Sequence, residues 1–242
     1  MSNFSSIINK IIMKNTLLII CSLFFLNTSL CAQKNELIIV KAGTKILDYF
    51  PLSKRYLYSE FVPGRIWFKS GTYSDRKLNY NHLTGEMEFI QAHDTLSFAN
   101  KKDIELIMIA QDTFYYDKGY IEQLRSGNVR VGLKQYYELK EIQNKDSYGT
   151  ASSGSSTISY NSLPNTEGNF YKLTANKDII FKRTVLYYMA TPESGFVLCS
   201  KNNMIQLFPL HKSKIKSYLK ANKIKFDSRD DILKLADFLK TL

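Results

Sequence analysis

Between residues 36 and 133 the chain is a succession of short apolar and aromatic runs, each ended by turn residues and following the last by about 8 to 12 positions. The runs lie at 37–40, 65–69, 78–81, 86–90, 95–98, 106–110, 113–116, 120–124 and 129–133. Runs of this length are too short for helices and suit strands. Tyr, Phe and β-branched residues dominate them, and these side chains pack well on a pleated, half-buried surface. No 10–15-residue helical pattern separates the runs, so a parallel α/β sheet is disfavoured and an antiparallel sandwich, roll or barrel is expected. His82-Leu83-Thr84-Gly85 reads as the turn of a hairpin joining 78–81 to 86–90.

The rhythm stops at 150–168, a Ser-, Gly- and Asn-rich stretch that reads as a flexible loop or linker. Little in it can bury apolar surface, so early proteolysis is expected there. Strand-like runs resume at 170–173, 178–181, 185–189, 196–199 and 204–207. The C-terminus changes period. Ile215, Tyr218 and Leu219 mark one face of a helix over 212–222, and Ile232, Leu235, Phe238 and Leu239 mark another over 229–239. Ser228 is placed to cap the second helix, with Asp230 and Asp231 in its first turn. The expected class is mainly β with a C-terminal helical pair, an α+β layout. The expected organisation is a signal peptide over 1–32, a β-rich region over 33–149, the loop over 150–168, and completing strands with two helices over 169–242.

With 242 residues and 44% of them apolar, the chain can bury a sizeable core. That composition excludes a disulfide-stapled mini-protein, a collagen-like fibre and a polytopic membrane protein. The N-terminus reads as an export signal. Lys14 precedes an apolar run over 16–26, 11 residues long. A bilayer-spanning helix needs about 18 or more such residues, whereas a secretory core needs about 7–15. Cleavage is expected between Ala32 and Gln33, with a lipid anchor on Cys31 as the rival outcome; Met13 is a rival start to Met1. Of the three cysteines, Cys21 and Cys31 would then be removed, and Cys199 alone cannot close an intrachain disulfide. Lys10 and Lys14 leave too, and no acid does. Of the 33 basic residues 31 remain, against 22 acidic ones.

Three stretches carry a resemblance: Gly64-Arg65-Ile66-Trp67-Phe68-Lys69-Ser70-Gly71, Leu78-Asn79-Tyr80-Asn81 and Gly85-Glu86-Met87-Glu88-Phe89-Ile90. They resemble an uncharacterised family of exported β-rich envelope proteins of Gram-negative bacteria, and 220–239 is similar to the end of such proteins. The resemblance spans most of the chain beyond residue 32. It implies an exported protein, periplasmic or associated with the outer membrane, and it implies no activity.

Glu86 and Glu88 lie two apart on an expected strand, so both carboxylates point to one face. A retaining glycosidase uses such a pair together with a further acid, and Ile90, Gln91 and Ala92 stand where that acid is wanted. The competing reading is a solvent-facing strand edge opposite Met87 and Phe89. His82, His93 and His211 are the only histidines, and their spacing matches no zinc motif. Cys199 sits in an apolar run, a core setting rather than the positive, accessible one a reactive thiolate needs. No complete catalytic constellation and no cofactor motif emerges, and no cofactor is expected.

The residual charge feature is 201–226, with seven lysines and no Asp, Glu or Arg. Lys212, Lys216, Lys220 and Lys223 recur at helical spacing and form a candidate anion- or partner-binding face, with a solvated surface as the competing reading. Nucleic acid is not expected as a partner despite a pI near 9.4, because export removes the protein from it and no recognition-helix pattern appears. The function expected is that of a non-enzymatic envelope protein binding another protein or an anionic surface polymer, with no transmembrane span after cleavage. The alternative is a glycan-acting hydrolase built on Glu86 and Glu88. A deep cleft with converging carboxylates would favour the enzyme, and an exposed aromatic or basic patch the binding module.

Overall fold

The N-terminal strand β1 (Leu37–Val40) and the C-terminal half of the chain meet in one sheet, so chain order and sheet order differ. In this computed structural model the described residues are 37–145, 151–152 and 178–242, and the expected signal peptide lies outside them. The expected loop at 150–168 also lies outside them, apart from the two residues of β10 (Ala151–Ser152). Two short helices follow β1, α1 (Ile46–Tyr49) and α2 (Leu52–Arg55). The chain then runs as a meander: β2 (Val62–Phe68), β3 (Tyr73–Asn81), β4 (Glu86–Gln91) and β5 (Asp94–Ser97). A short 3₁₀ turn leads into β6 (Ile104–Ile109), β7 (Asp112–Tyr116), β8 (Tyr120–Arg125) and the long β9 (Arg130–Lys145). Next come β11 (Asp178–Ala190), β12 (Val197–Leu198) and three helices, α3 (Lys201–Leu207), α4 (Lys212–Ala221) and α5 (Arg229–Leu239). The class is mainly β with a C-terminal helical pair, α4 and α5.

The strands are hydrogen-bonded in the order β1-β11-β9-β8-β7-β6-β2-β3-β4-β5, with β12 on β11 and β10 on β9, and every pairing is antiparallel. The sheet curls on itself. β8 pairs with β9 only as far as Leu133, and beyond that point the β3–β4 turn approaches β9. The Tyr137 N–H donates to the His82 carbonyl at 2.8 Å, and the Tyr80 hydroxyl to the Gln135 carbonyl at 3.0 Å. This curl distinguishes a roll from a flat sheet.

Three apolar clusters fill the fold. Ile66, Leu78, Met87, Ile107, Phe114 and Tyr120 lie inside the meander. Val40, Ile46, Phe50, Leu83, Tyr137 and Phe181 close the end near β1. Val131, Leu133, Tyr187 and Met189 pack against Met204, Ile215, Leu219, Ile232, Leu235 and Leu239 of the helices. Tyr218 and Phe238 stack between α4 and α5 with centroids 3.9 Å apart. Ser228 caps α5 as expected, accepting from the Asp231 N–H at 3.4 Å.

The expected strand at 204–207 is instead the second half of helix α3. Its N-terminus is fixed by the Ser200 hydroxyl, which accepts from the Asn203 N–H at 3.2 Å. Met204 is buried, while Ile205, Leu207 and Phe208 are half-buried against the same cluster. A serine cap before a short apolar run is a helix start, and it overrides the β-like look of that run.

Candidate functional site

The two glutamates on β4 are occupied by structure. Glu88 is 4% exposed, not solvent-facing. Its Oε2 accepts from the Tyr56 hydroxyl at 2.6 Å and its Oε1 from the Asn81 amide at 2.9 Å. Burial, reinforced by the adjacent Glu88, pushes the Tyr56 hydroxyl well above its ordinary pKa. Asn81 Oδ1 in turn accepts from the Leu83 N–H, closing the β3–β4 turn. Neighbouring Asn79 bonds the backbone of Tyr58 and Glu60. Glu86 forms an ion pair with Lys101 at 2.5 Å. The pair thus reaches into the fold, holding residues 56–60 and the 3₁₀ turn against β3 and β4, and does not converge on a cleft.

A groove of about 750 Å³ opens on the outer face of β2, β3 and β6. Period-2 alternation builds it. Ile66 is buried on the inner side of β2, so Pro63, Arg65 and Trp67 project outward. The register sets Lys77 beside Pro63, Asp75 beside Arg65 and Tyr73 beside Trp67, and it sets Met108 of β6 beside Arg65 on the other side. Tyr73 is 55% exposed and Met108 49%, large values for such side chains. Gly64 permits the close approach of the three strands. A Cβ there would lie 2.7 Å from Leu78 Cδ1 and 2.8 Å from the Met108 carbonyl oxygen.

Arg65 organises the floor of this groove. Its Nε and Nη2 donate to the two Asp75 carboxylate oxygens at 2.6 and 2.9 Å. Its guanidinium also lies 4.3 Å from the Tyr73 ring centroid and 5.8 Å from that of Trp67. Hydrogen bonding to Arg65 holds the Asp75 carboxyl below the usual carboxylate range and raises Arg65 in return. The Trp67 and Tyr73 rings are 5.2 Å apart. Arg76 and Lys77, both exposed, complete the lining. Three cations and one carboxylate therefore line the groove beside two aromatic rings. Arg65, Tyr73, Asp75, Arg76 and Lys77 were not singled out from sequence. The signal was the period-2 series Pro63, Arg65, Trp67 running antiparallel to Tyr73, Asp75, Lys77 across the tight turn at Gly71.

The lysine face is divided by the end of a helix. Lys212, Lys216 and Lys220 lie on α4, which ends at Ala221. Lys223 follows in the left-handed region at φ +49°, outside the helix. A second groove, of about 360 Å³, separates α3 from α4, where Lys201, Asn202, Ile205 and Gln206 meet Lys212 and Lys216. The sequence spacing did not link Lys201 to this set, because 204–207 reads as a strand and hides the helix that Lys201 begins.

Cys199 is 5% exposed, and burial pushes its thiol up to about 12, so a thiolate nucleophile is not available there. Among the described residues no three His, Cys, Asp or Glu side chains cluster to hold a metal. No described helix is long and apolar enough to cross a membrane. No family model, curated protein or solved structure matches the chain.

Proposed function

We propose that this protein is an exported, non-enzymatic binding module of the bacterial envelope, and that the Trp67 groove holds an anionic surface polymer. The carrying observation is the outward face of β2 and β3. Two adjacent rings, Trp67 and Tyr73, inclined at 49° to one another, offer apolar ring faces, and Arg76 and Lys77 supply positive charge beside them. A sugar ring presents an apolar C–H face that stacks on one such aromatic ring, and carboxylate or phosphate groups along the polymer would meet the two cations. Arg65 is already engaged by Asp75, so it holds the floor in place before the ligand arrives. A hydrolase on Glu86 and Glu88 gains nothing from the geometry, since both carboxylates are committed to neighbours.

Trp67 is the only tryptophan of the chain, so its fluorescence reports groove occupancy directly. Titration with an acidic polysaccharide such as polygalacturonate is expected to shift or quench that emission, and neutral dextran to do so far more weakly. Reversing Arg76 and Lys77 to Glu is expected to weaken binding at least tenfold and to flatten its salt dependence. No response to any acidic polymer, or an unchanged affinity in the double variant, removes this reading. Export is tested separately by intact mass. A mature chain beginning at Gln33 is expected, a diacylglycerol adduct on Cys31 would mean a lipid anchor, and retention of residues 1–32 would contradict export.

A further inference from the structure

The corner between α3 and α4 carries a second surface, independent of the Trp67 groove. A 3₁₀ turn, Pro209–His211, joins the two helices. Leu207 and Phe208 turn inward and pack on the helical core, while Leu210 is 92% exposed, the most exposed large apolar side chain among the described residues. The corner is fixed in place. The His211 N–H donates to the Phe208 carbonyl at 3.1 Å, and α4 is anchored by buried Ile215 and Leu219. Lys212 and Lys214 follow the protruding leucine in sequence at the start of α4, and Lys201 of α3 and Lys216 share a groove with Lys212, all four lysines exposed. None of these four has an ion-pair partner among the described residues. The nearest acids in sequence are Glu193 and the Asp227, Asp230, Asp231 group, and the Asp231 carboxylate accepts from the Lys225 N–H.

We infer that this corner is a peripheral docking surface for an anionic lipid bilayer, with Leu210 entering the headgroup–acyl boundary and Lys201, Lys212 and Lys216 meeting lipid phosphates. Two features favour a bilayer over an acidic protein. The patch is built from lysine alone, with no arginine from 201 to 226. Lysine is a point charge on a flexible stem, suited to a fluid field of phosphates, whereas arginine supplies the fixed fork that specific protein contacts use. Protein interfaces also deplete lysine at their centres and draw their energy from Trp, Tyr and Arg. A protruding leucine beside a lysine-lined groove suits a soft apolar layer beneath a charged one. It does not present the packed aromatic anchor of a protein interface.

The test is co-sedimentation with vesicles of phosphatidylcholine containing about one-third phosphatidylglycerol, compared with pure phosphatidylcholine. The whole exported chain is used, and every variant carries the same N-terminus, so any contribution of the N-terminus cancels. Binding to the anionic vesicles is expected at low salt and should fall steeply as the screening length drops below about 8 Å. Reversal of Lys201, Lys212 and Lys216 to Glu is expected to lower the partition coefficient about a hundredfold or more, at roughly fivefold per lysine. Leu210→Ser should lower it about tenfold, and Leu210→Phe should restore it. All four positions are exposed, so melting temperatures should stay within a degree or two of the parent. Equal binding to neutral vesicles, or no binding at low salt, overturns the proposal. So does loss on lysine reversal with no change in Leu210→Ser, which would assign the corner to a soluble polyanion or an acidic protein.

Discussion

Glu88 shows how a single side chain changes meaning with its surroundings. Two positions from Glu86 on one strand, it has the spacing of a catalytic pair. In the fold, its two oxygens receive the hydrogens of Tyr56 and Asn81. Removing it leaves two buried donors without their acceptor, at a cost of about 1–3 kcal/mol each before relaxation. Glu88→Ala is therefore expected to lose about 3 kcal/mol of stability in urea titration, with no effect on polymer binding by the folded fraction. A stable variant that lost binding would instead place Glu88 in the site. His82 makes a second prediction. Burial holds its imidazole down to about 4, with Arg183 adding to the depression and a hydrogen bond to the Gln135 backbone opposing it. The ordinary value is about 6.5, so the unfolded chain binds the extra proton first as pH falls. The stability from the neutral ring is thus complete above about pH 6.5 and declines toward pH 4, by up to about 3 kcal/mol. His82→Gln should flatten that part of a stability–pH curve measured by denaturant. Neither residue's role was legible in the sequence, because each depends on long-range partners: Tyr56 lies 32 positions from Glu88, and Gln135 is further still from His82.

At the scale of elements, the strand rhythm was legible because alternation and turn residues are local signals. The runs at 37–40, 86–90, 113–116 and 120–124 fall within β1, β4, β7 and β8. The runs at 178–181 and 185–189 fuse into β11, since Lys182, Arg183 and Thr184 interrupt the apolar pattern without interrupting the pairing to β9. The Trp67 groove could not be read from any one strand. It exists only when β2 is flanked by β3 and β6, and Gly64 sets how closely they approach. Gly64→Val would force its side chain into Leu78 and the Met108 carbonyl. Its expected cost is at least about 2 kcal/mol, as for overpacking elsewhere, together with an altered Trp67 emission spectrum in the absence of ligand. Urea unfolding followed by fluorescence reads both at once. A variant with parental stability and spectrum would mean that the three strands can part without consequence.

At the scale of the whole molecule, β9 and β11 join regions that the chain order keeps apart. β9 gives Val131 and Leu133 to the helical cluster and Tyr137 and Leu139 to the cluster beside β1. β11 does the same with Tyr187 and Met189 at one end and Phe181 at the other. β9 also receives the β3–β4 hairpin through the Tyr137–His82 hydrogen bond, so the meander leans on the same strand as the helices. Loss of β9 would therefore uncover the helical cluster and the cluster beside β1 together, and would release the β3–β4 turn that anchors the meander to them. Cooperative unfolding follows from that shared element. Trp67 on β2 reports the meander by fluorescence, while circular dichroism near 222 nm weights α4 and α5, at the other end of the chain. The two melting curves are expected to coincide, with or without reductant, because Cys199 is the only described cysteine and its thiol is free and buried. Lys212→Glu and Lys216→Glu, on the exposed side of α4, should leave both curves in place. Leu235→Ala, in the helical cluster where Leu235 is fully buried, should move both curves down together, by a shift corresponding to about 2–5 kcal/mol. A helix signal that melted earlier while the Trp67 signal held would show that the helices and the meander are separate cooperative units, and that β9 does not couple them.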